Sequence, residues 1–286
     1  MQNKVYRRIL SITMIVGLML GVVLLQAALM LVMIVILRAD LRAIADNDPV
    51  FMTIFYIVYS WVGITLMFII RYLIQRFSLI QPMQIGEERK LYKNSFFGLL
   101  VLGIAIQLAS SGILNIIYTF ASDTAAFKRY EEVMNSLNGT SIWLTVLYGM
   151  LFAPVLEELI FRGLLIDFAR YGFAANTSII ISAVCFGVFH GNIVQGSYAV
   201  VIGLILGYVR IRSGSLIDSI ILHMIINISG VIVLPILTGI ISLITGTFVA
   251  YGVLSVIGVL LSVMWYLKSR EEIEDIKRYC HYGEKC

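Results

Sequence analysis

The chain has 286 residues, of which 60% are hydrophobic and only 13% are charged. A soluble domain of ordinary composition is about 45–50% apolar and about 25% charged, so these proportions exclude a soluble globular protein. The formal net charge of +4 does not indicate nucleic-acid binding, because the basic residues cluster at the ends of apolar runs. We therefore interpret the chain as an integral membrane protein whose apolar runs contact the lipid bilayer.

Long apolar runs and only four prolines predict membrane-spanning helices rather than the alternating strands of a barrel. The predicted fold is an all-α polytopic membrane protein with about eight spans, at residues 9–37, 50–70, 95–120, 142–168, 176–190, 197–211, 215–234 and 240–267. Residues 71–94 and 123–140 are predicted loops, and Pro235 is predicted to end the seventh span. Ser215 with Asp218 predicts a cap on that span, and Thr140 or Ser141 a cap on the fourth.

The distribution of basic residues predicts the orientation of the chain in the membrane. Eight spans place both termini on one side, and 17 of the 21 Lys and Arg residues fall on that side, in residues 1–8, 71–93, 162–170, 210–212 and 268–285. Because cytoplasmic loops carry the excess of Lys and Arg, both termini are predicted to be cytoplasmic. We expect one membrane domain over residues 1–286, ending in a charged tail at 268–286.

The fourth predicted span contains three charged residues, Glu157, Glu158 and Arg162. Each charge at the centre of a spanning helix costs about 2.5–3.5 kcal/mol on insertion scales, so such residues usually have a function. Glu158 and Arg162 are four residues apart with the acid on the N-terminal side, which favours an ion pair. Glu157 points about 100° away from Glu158, so it must meet other groups.

Two of the three histidines in the chain, His190 and His223, also lie in predicted spans. Phe186 is one turn before His190, and Asn227 is one turn after His223, so each pair shares a helix face. At about 1.5 Å per residue from the cytoplasmic helix ends, Glu157 lies roughly 15 Å deep, His223 roughly 12 Å and His190 roughly 21 Å. These depths predict an intramembrane polar site on the fourth, fifth and seventh spans.

Two kinds of chemistry fit such a site. Glu157 can act as a general base on water while the imidazoles and Asn227 position the water and stabilise an oxyanion. Alternatively, Glu157, His190 and His223 can ligate zinc and leave a fourth position open, as in hydrolytic metal sites. Neither H-E-x-x-H nor G-x-S-x-G occurs in the chain, so these familiar hydrolase motifs do not decide between the two.

Three motifs in fixed order carry a resemblance to a known family. Glu157-Glu158 with Arg162 reads E-E-x-x-x-R, Phe186 with His190 reads F-x-x-x-H, and His223 with Asn227 reads H-x-x-x-N. In this order they resemble the CPBP family, also called Abi proteins, which comprises the type II CAAX prenyl endopeptidases and bacteriocin-processing relatives. The resembling core covers residues 142–234.

The resemblance implies an intramembrane endopeptidase that acts on a membrane-associated peptide or protein. It implies that Glu157 is the catalytic base, that His190, His223 and Asn227 are its partners, and that Glu158 and Arg162 support the site. Members of the family are mostly regarded as glutamate-type peptidases, although a metal mechanism has also been argued. The resemblance does not carry over a substrate, because the bacterial relatives are associated with peptide maturation, signalling and bacteriocin immunity.

Two other classes of function remain as alternatives. A non-catalytic membrane scaffold or immunity protein would bind a peptide or partner in the same pocket, and it would tolerate Glu157→Gln. A transporter is the third class, but the chain has no internal repeat of the kind that many transporters show. Polar residues elsewhere in the spans are predicted to be packing or interface residues, namely Gln107, Asn115, Tyr148 and Asn192. Gly203 and Gly207 are predicted to allow close helix packing.

Overall fold

A computed structural model of the protein describes residues 4–36, 48–77, 96–138 and 142–281. These residues form helices joined by short turns, and no strand occurs among them. The predicted all-α class is therefore confirmed.

We number the continuous helical stretches of the described residues α1 to α9. They are α1 (Lys4–Ile36), α2 (Pro49–Arg76), α3 (Phe96–Ala121), α4 (Ala125–Asn138), α5 (142–172), α6 (Ala175–Phe189), α7 (Ile193–Ser213), α8 (Leu216–Thr245) and α9 (Thr247–His281). Two of these helices, α5 and α8, contain π-helical turns between their α-helical segments.

Within the described residues, six helices are long and apolar enough to cross a membrane. They are α1, α2, α3, α7, α8 and the first part of α9, and each overlaps a predicted span. The remaining two predicted spans are helical as well. However, α6 has only 15 residues, and α5 is divided into short α and π segments around its charged residues. The protein is thus a polytopic helical membrane protein, and the two apolar helices outside this set of six are the one that contains Glu157 and the one that adjoins His190.

The predicted boundary between the seventh and eighth spans is wrong. Helix α8 passes through Pro235 and ends at Thr245, where Gly246 adopts a φ of 81°. A π segment, Ser229–Val233, precedes the proline and leaves Pro235 in the first turn of the next α segment. Because the first turn needs no intrahelical N–H donor, the proline does not end the helix there. The helix ends instead at Gly246, whose positive φ other residues rarely adopt.

The predicted loop at 123–140 is wrong over most of its length, because residues Ala125–Asn138 form helix α4. The hydroxyl of Thr124 accepts the Phe127 N–H at 3.5 Å, and the Phe127 side chain is buried. A polar first turn and a buried apolar residue are enough to start an amphipathic helix. The predicted caps Thr140 and Ser141 lie outside the described residues, as does most of the predicted loop at 71–94.

The chain divides into two compact units, residues 1–84 with 128–207 and residues 85–127 with 208–286. In the first unit, α6 and α7 approach each other closely at glycines. A Cβ atom placed on Gly187 would lie 2.7 Å from the carbonyl oxygen of Gly196, and one placed on Gly207 would lie 3.0 Å from Ile179 Cγ2. The close packing predicted for the glycines of α7 is therefore present.

We expect Gly187→Ala to lower the free energy of unfolding by about 1–3 kcal/mol, the usual cost of overpacking. The added methyl group meets backbone and Val200, and backbone cannot rotate away as a flexible side chain can. Thermal unfolding in detergent measures the effect. Gly17→Ala in α1 is the control, because a Cβ there meets no atom within 4 Å. Equal melting temperatures for Gly187→Ala and Gly17→Ala would contradict the close approach of the two helices.

The N-terminal helix of the first unit packs against the end of α5. The buried Ser11 hydroxyl donates to the Phe168 carbonyl at 2.7 Å. A Cβ on Gly172 would lie 2.8 Å from Ser11 Cβ, and the Arg7 guanidinium lies 4.8 Å from the centre of the Tyr171 ring. Most of the remaining surface of α1 is apolar and exposed, as expected for a helix that faces lipid.

In the second unit, α3 packs closely against both α8 and α9. A Cβ on Gly103 would lie 2.4 Å from Ile225 Cγ2 in α8. On the other partner, a Cβ on Gly258 would lie 2.4 Å from the carbonyl oxygen of Ala105. Small residues thus bring α8, which carries His223, into direct contact with α3.

Candidate active site

The paired carboxylates lie on a short α-helical segment of α5, Ala153–Glu158. This segment is preceded by the π segment Tyr148–Phe152 and followed by the π segment Leu159–Leu165. A π turn contains an extra residue relative to an α turn, so it rotates the side chains on either side of it relative to one another. The direction in which Glu157 points is therefore set by these turns as well as by the regular helical period.

Glu158 and Arg162 form the predicted ion pair. Arg162 Nη1 donates to Glu158 Oε1 at 2.9 Å, and neither side chain is exposed. Removing two charges from water costs several kcal/mol per ion, and the cost is offset only when the pair is close and well hydrogen-bonded. The ion pair is thus fully buried inside an apolar helix bundle and has a structural role.

Two neighbouring helices complete the surroundings of Arg162. Its Nη2 atom donates to the carbonyl oxygen of Gly203 in α7 at 3.2 Å. Its guanidinium also lies 4.5 Å from the centre of the Phe186 ring in α6, a favourable cation–π distance. A Cβ on Gly203 would lie 3.2 Å from Nη2, so the glycine leaves the room that this hydrogen bond needs.

The Glu157 side chain differs from Glu158 in being only half-buried. It is close enough to Tyr59, Tyr148 and Tyr198 to interact with all three electrostatically. The Tyr148 ring in turn stacks on Tyr56 of α2 with ring centroids 5.4 Å apart. The sequence indicated only a packing role for Tyr148, because its interaction with Glu157 depends on the π segment between them and its contact with Tyr56 depends on how α5 packs on α2.

His190 follows the last residue of α6 and is half-buried. Its Nδ1 atom lies 2.8 Å from the carbonyl oxygen of Phe186, and its ring meets the Phe186 ring edge-on at 4.7 Å. A carbonyl oxygen can only accept a hydrogen bond, so Nδ1 is the donor in this contact, and in the neutral ring Nε2 is the nitrogen with the lone pair. Phe186 and His190 therefore share one face, as predicted.

A cluster of aromatic rings connects the helices of Glu157 and His190. Phe161, four residues after Glu157, places its ring 5.1 Å from Phe186 and 5.4 Å from Phe189. Phe186 contacts the His190 ring directly. These contacts join the helix of the acid and the helix of the imidazole within the first compact unit.

The other two predicted site residues, His223 and Asn227, belong to the second compact unit. Both lie on the regular α segment Leu216–Ile228 of α8, so their spacing of four residues puts them on one face. His223 is buried and Asn227 is half-buried. The predicted start of this helix is confirmed, because the Ser215 hydroxyl accepts the Asp218 N–H at 3.2 Å.

The zinc alternative requires Glu157, His190 and His223 to share one metal ion. Inside each compact unit, no three described His, Cys, Asp or Glu side chains are grouped so that they could hold a metal ion. The predicted zinc ligands Glu157 and His190 come from one unit and His223 from the other. One carboxylate and two imidazoles remain a donor set that hydrolytic zinc accepts, so these residues fit such an ion chemically.

The fold and the buried charges define a multi-pass helical membrane protein. Its apolar helices contain buried charged and polar side chains, which in a membrane usually have a function. Residues 139–229 match a family model described as type II CAAX prenyl endopeptidase Rce1-like, so this part of the chain is similar to that family. The match confirms the resemblance seen in the motifs, and it includes every predicted site residue. No curated protein and no solved structure matches the chain. Because Rce1-like proteins are proteases, the match supports a membrane protease.

Proposed function

We propose that the protein is an intramembrane endopeptidase of the cell membrane that hydrolyses a peptide bond in a membrane-associated protein or peptide. The observation that carries the proposal is the contrast between the two adjacent acids inside the region that matches the Rce1-like family model. Glu158 is fully buried and forms an ion pair with Arg162. Glu157 is only half-buried, and its helix is joined to His190 by the aromatic cluster. A purely structural carboxylate does not need to be accessible, but a general base must reach water and substrate.

In the proposed reaction, Glu157 removes a proton from water and the water oxygen attacks the carbonyl carbon of the scissile peptide. The lone pair on His190 Nε2 accepts the other water hydrogen and orients the attack. His223 and Asn227 donate hydrogen bonds to the oxyanion that forms. The C–N bond then breaks, and Glu157 returns its proton to the leaving amine.

In the alternative mechanism, Glu157, His190 and His223 would hold zinc, which when bound lowers the pKa of water and polarises the substrate carbonyl. Chelation distinguishes the two mechanisms. A glutamate-type enzyme keeps its activity in the presence of a chelator, whereas a metal-dependent enzyme loses it and regains it when zinc is added.

A substrate trap tests the proposal and identifies the substrate. Glu157→Gln is expressed in the native cell in place of the wild-type protein, and membrane-associated precursors that accumulate are identified by mass spectrometry of the membrane fraction. We expect at least one precursor to accumulate and its shortened product to disappear. Unchanged processing of every membrane peptide, together with a wild-type phenotype, would favour the non-catalytic scaffold or immunity protein.

We also propose the orientation predicted from the basic residues, with both termini in the cytoplasm. A reporter that is active only in the cytoplasm should therefore be active when it is fused to either terminus. Labelling of single cysteines with a membrane-impermeant reagent gives an independent measurement, and cysteines placed at the two termini should be protected in intact cells. A terminus that reacts from outside would contradict this orientation.

A further inference from the structure

The basic side chain of Arg71, near the end of α2, is turned toward α5. Its Nη1 atom donates to the carbonyl oxygen of Gly163 at 2.7 Å and lies 3.4 Å from Asp167 Oδ2. Only 22% of the Arg71 side chain and 16% of the Asp167 side chain are exposed. A long basic side chain near a helix end usually extends to water at the membrane surface. Arg71 instead binds the backbone and a carboxylate of the helix that carries Glu157.

The two acceptors of Arg71 lie on either side of a change in helix type. Gly163 belongs to the π segment Leu159–Leu165, and Asp167 belongs to the α segment Ile166–Gly172 that follows it. In a π segment each N–H reaches the carbonyl five residues earlier, whereas in an α segment it reaches the fourth. The junction between the segments can therefore shift when N–H groups change their acceptors. A single nitrogen atom that binds both segments fixes the position of this junction.

Helix α2 contacts α5 on both sides of the short α segment that carries Glu157. It is one uninterrupted α-helix of 28 residues, whereas α5 changes repeatedly between α and π geometry. The contacts follow both helices in the same order, and they join Tyr56 to Tyr148, Trp61 to Phe152, Gly63 to Leu156 and Arg71 to Gly163. The first two contacts reach the π segment before Glu157, and the last reaches the π segment after it. The regular helix thus supports the irregular one at both of its π segments.

We infer that Arg71 is a positioning residue for Glu157. By holding the second π segment, Arg71 sets the rotation of Glu157 relative to the end of α5. The same π segment contains Phe161, whose ring contacts Phe186, and the Phe186 ring contacts that of His190. Arg71 therefore acts on the direction of the acid and on the aromatic contacts that join its helix to the imidazole. The consequence for hydrolysis rests on the proposed function, in which Glu157 is the general base.

Hydrogen–deuterium exchange tests the role of Arg71 without any substrate. The full-length protein in detergent is compared with Arg71→Met and Arg71→Lys. We expect Arg71→Met to speed amide exchange over residues 159–167 roughly tenfold, because it removes a hydrogen bond from a charged donor. Arg71→Lys should stay closer to the wild type, since one nitrogen atom makes both contacts and a Lys ammonium has three hydrogens to donate.

The matched control for this measurement is Ser11→Ala. It removes another side-chain donor to a carbonyl of α5, that of Phe168, which lies beyond the π segment. Exchange over Leu159–Leu165 should therefore stay at the wild-type rate in the control. Wild-type exchange over this segment in Arg71→Met, or exchange in Arg71→Lys as fast as in Arg71→Met, would overturn the inference.

Hydrolysis of a precursor that accumulates with Glu157→Gln, prepared as an internally quenched peptide, tests the consequence at a temperature at which every variant is folded. We expect Arg71→Met to lower kcat about tenfold or more with KM nearly unchanged, and Arg71→Lys to recover most of the loss. Ser11→Ala should lower the melting temperature without lowering kcat. An unchanged kcat for Arg71→Met, or an equal loss for Ser11→Ala, would overturn the positioning role. If no precursor accumulates, the proposed function fails, and the exchange experiment still decides whether Arg71 holds the π segment.

Discussion

Glu157→Gln is expected to lower the rate of peptide hydrolysis by roughly 10²-fold or more, the usual contribution of a general base. The amide keeps the size of the side chain but cannot take a proton from water. The rate is measured with purified protein in detergent or liposomes, on a precursor that accumulates in cells carrying the variant. The melting temperature of the variant should stay close to that of the wild type, because the 2.9 Å ion pair with Arg162 is formed by Glu158 and is left in place.

The matched control for this experiment is Glu132→Gln. Glu132 is an exposed acid on α4, so its replacement removes the same charge from an exposed side chain. We expect the control to cleave at the wild-type rate. Wild-type cleavage by Glu157→Gln would remove Glu157 as the base, and an equal loss in both variants would point to an effect of net charge rather than of position.

Glu158→Ala is expected to destabilise the protein by about 3–5 kcal/mol, because it leaves the Arg162 guanidinium buried without its counter-ion. Both side chains are fully buried and their charged atoms are 2.9 Å apart, so water cannot replace the carboxylate without opening the helix bundle. Thermal unfolding in detergent and the amount of protein in the membrane fraction measure this loss.

The double variant Glu158→Met with Arg162→Met separates the cost of an unpaired charge from the value of the pair. Replacing both members of a buried ion pair by apolar residues of similar volume is often neutral, so we expect it to melt closer to wild type than Glu158→Ala does. A Glu158→Ala variant that melts and accumulates like the wild type would contradict the role of this pair.

Interactions between residues close in sequence could be predicted. The Glu158–Arg162 pair, the shared face of Phe186 and His190, and the Ser215 cap all depend on spacings of three or four residues. Such spacings define neighbours on a helix whatever the rest of the fold does. The all-α class could also be predicted, from composition, because only helices and closed barrels satisfy their backbone hydrogen bonds inside a bilayer.

Features that depend on π turns or on packing between helices could not be predicted. A helical wheel assumes a regular α-helical period. It therefore cannot show that π segments flank Glu157, or that α8 continues past Pro235. Likewise, Tyr148 looked like a packing residue only, because its neighbour Tyr56 belongs to a distant part of the chain.

The contact between α1 and the end of α5 bears on how the protein is made. Ser11 donates to the carbonyl of a residue 157 positions later in the chain. The ribosome releases α1 into the membrane before Phe168 has been synthesised, so this hydrogen bond cannot form until α5 follows. During that interval the Ser11 hydroxyl can bond within its own helix, to the carbonyl one turn earlier. The contact of α1 with α5 is thus a late step of biogenesis, and a nascent chain that stops before α5 lacks the carbonyl that accepts this hydrogen bond.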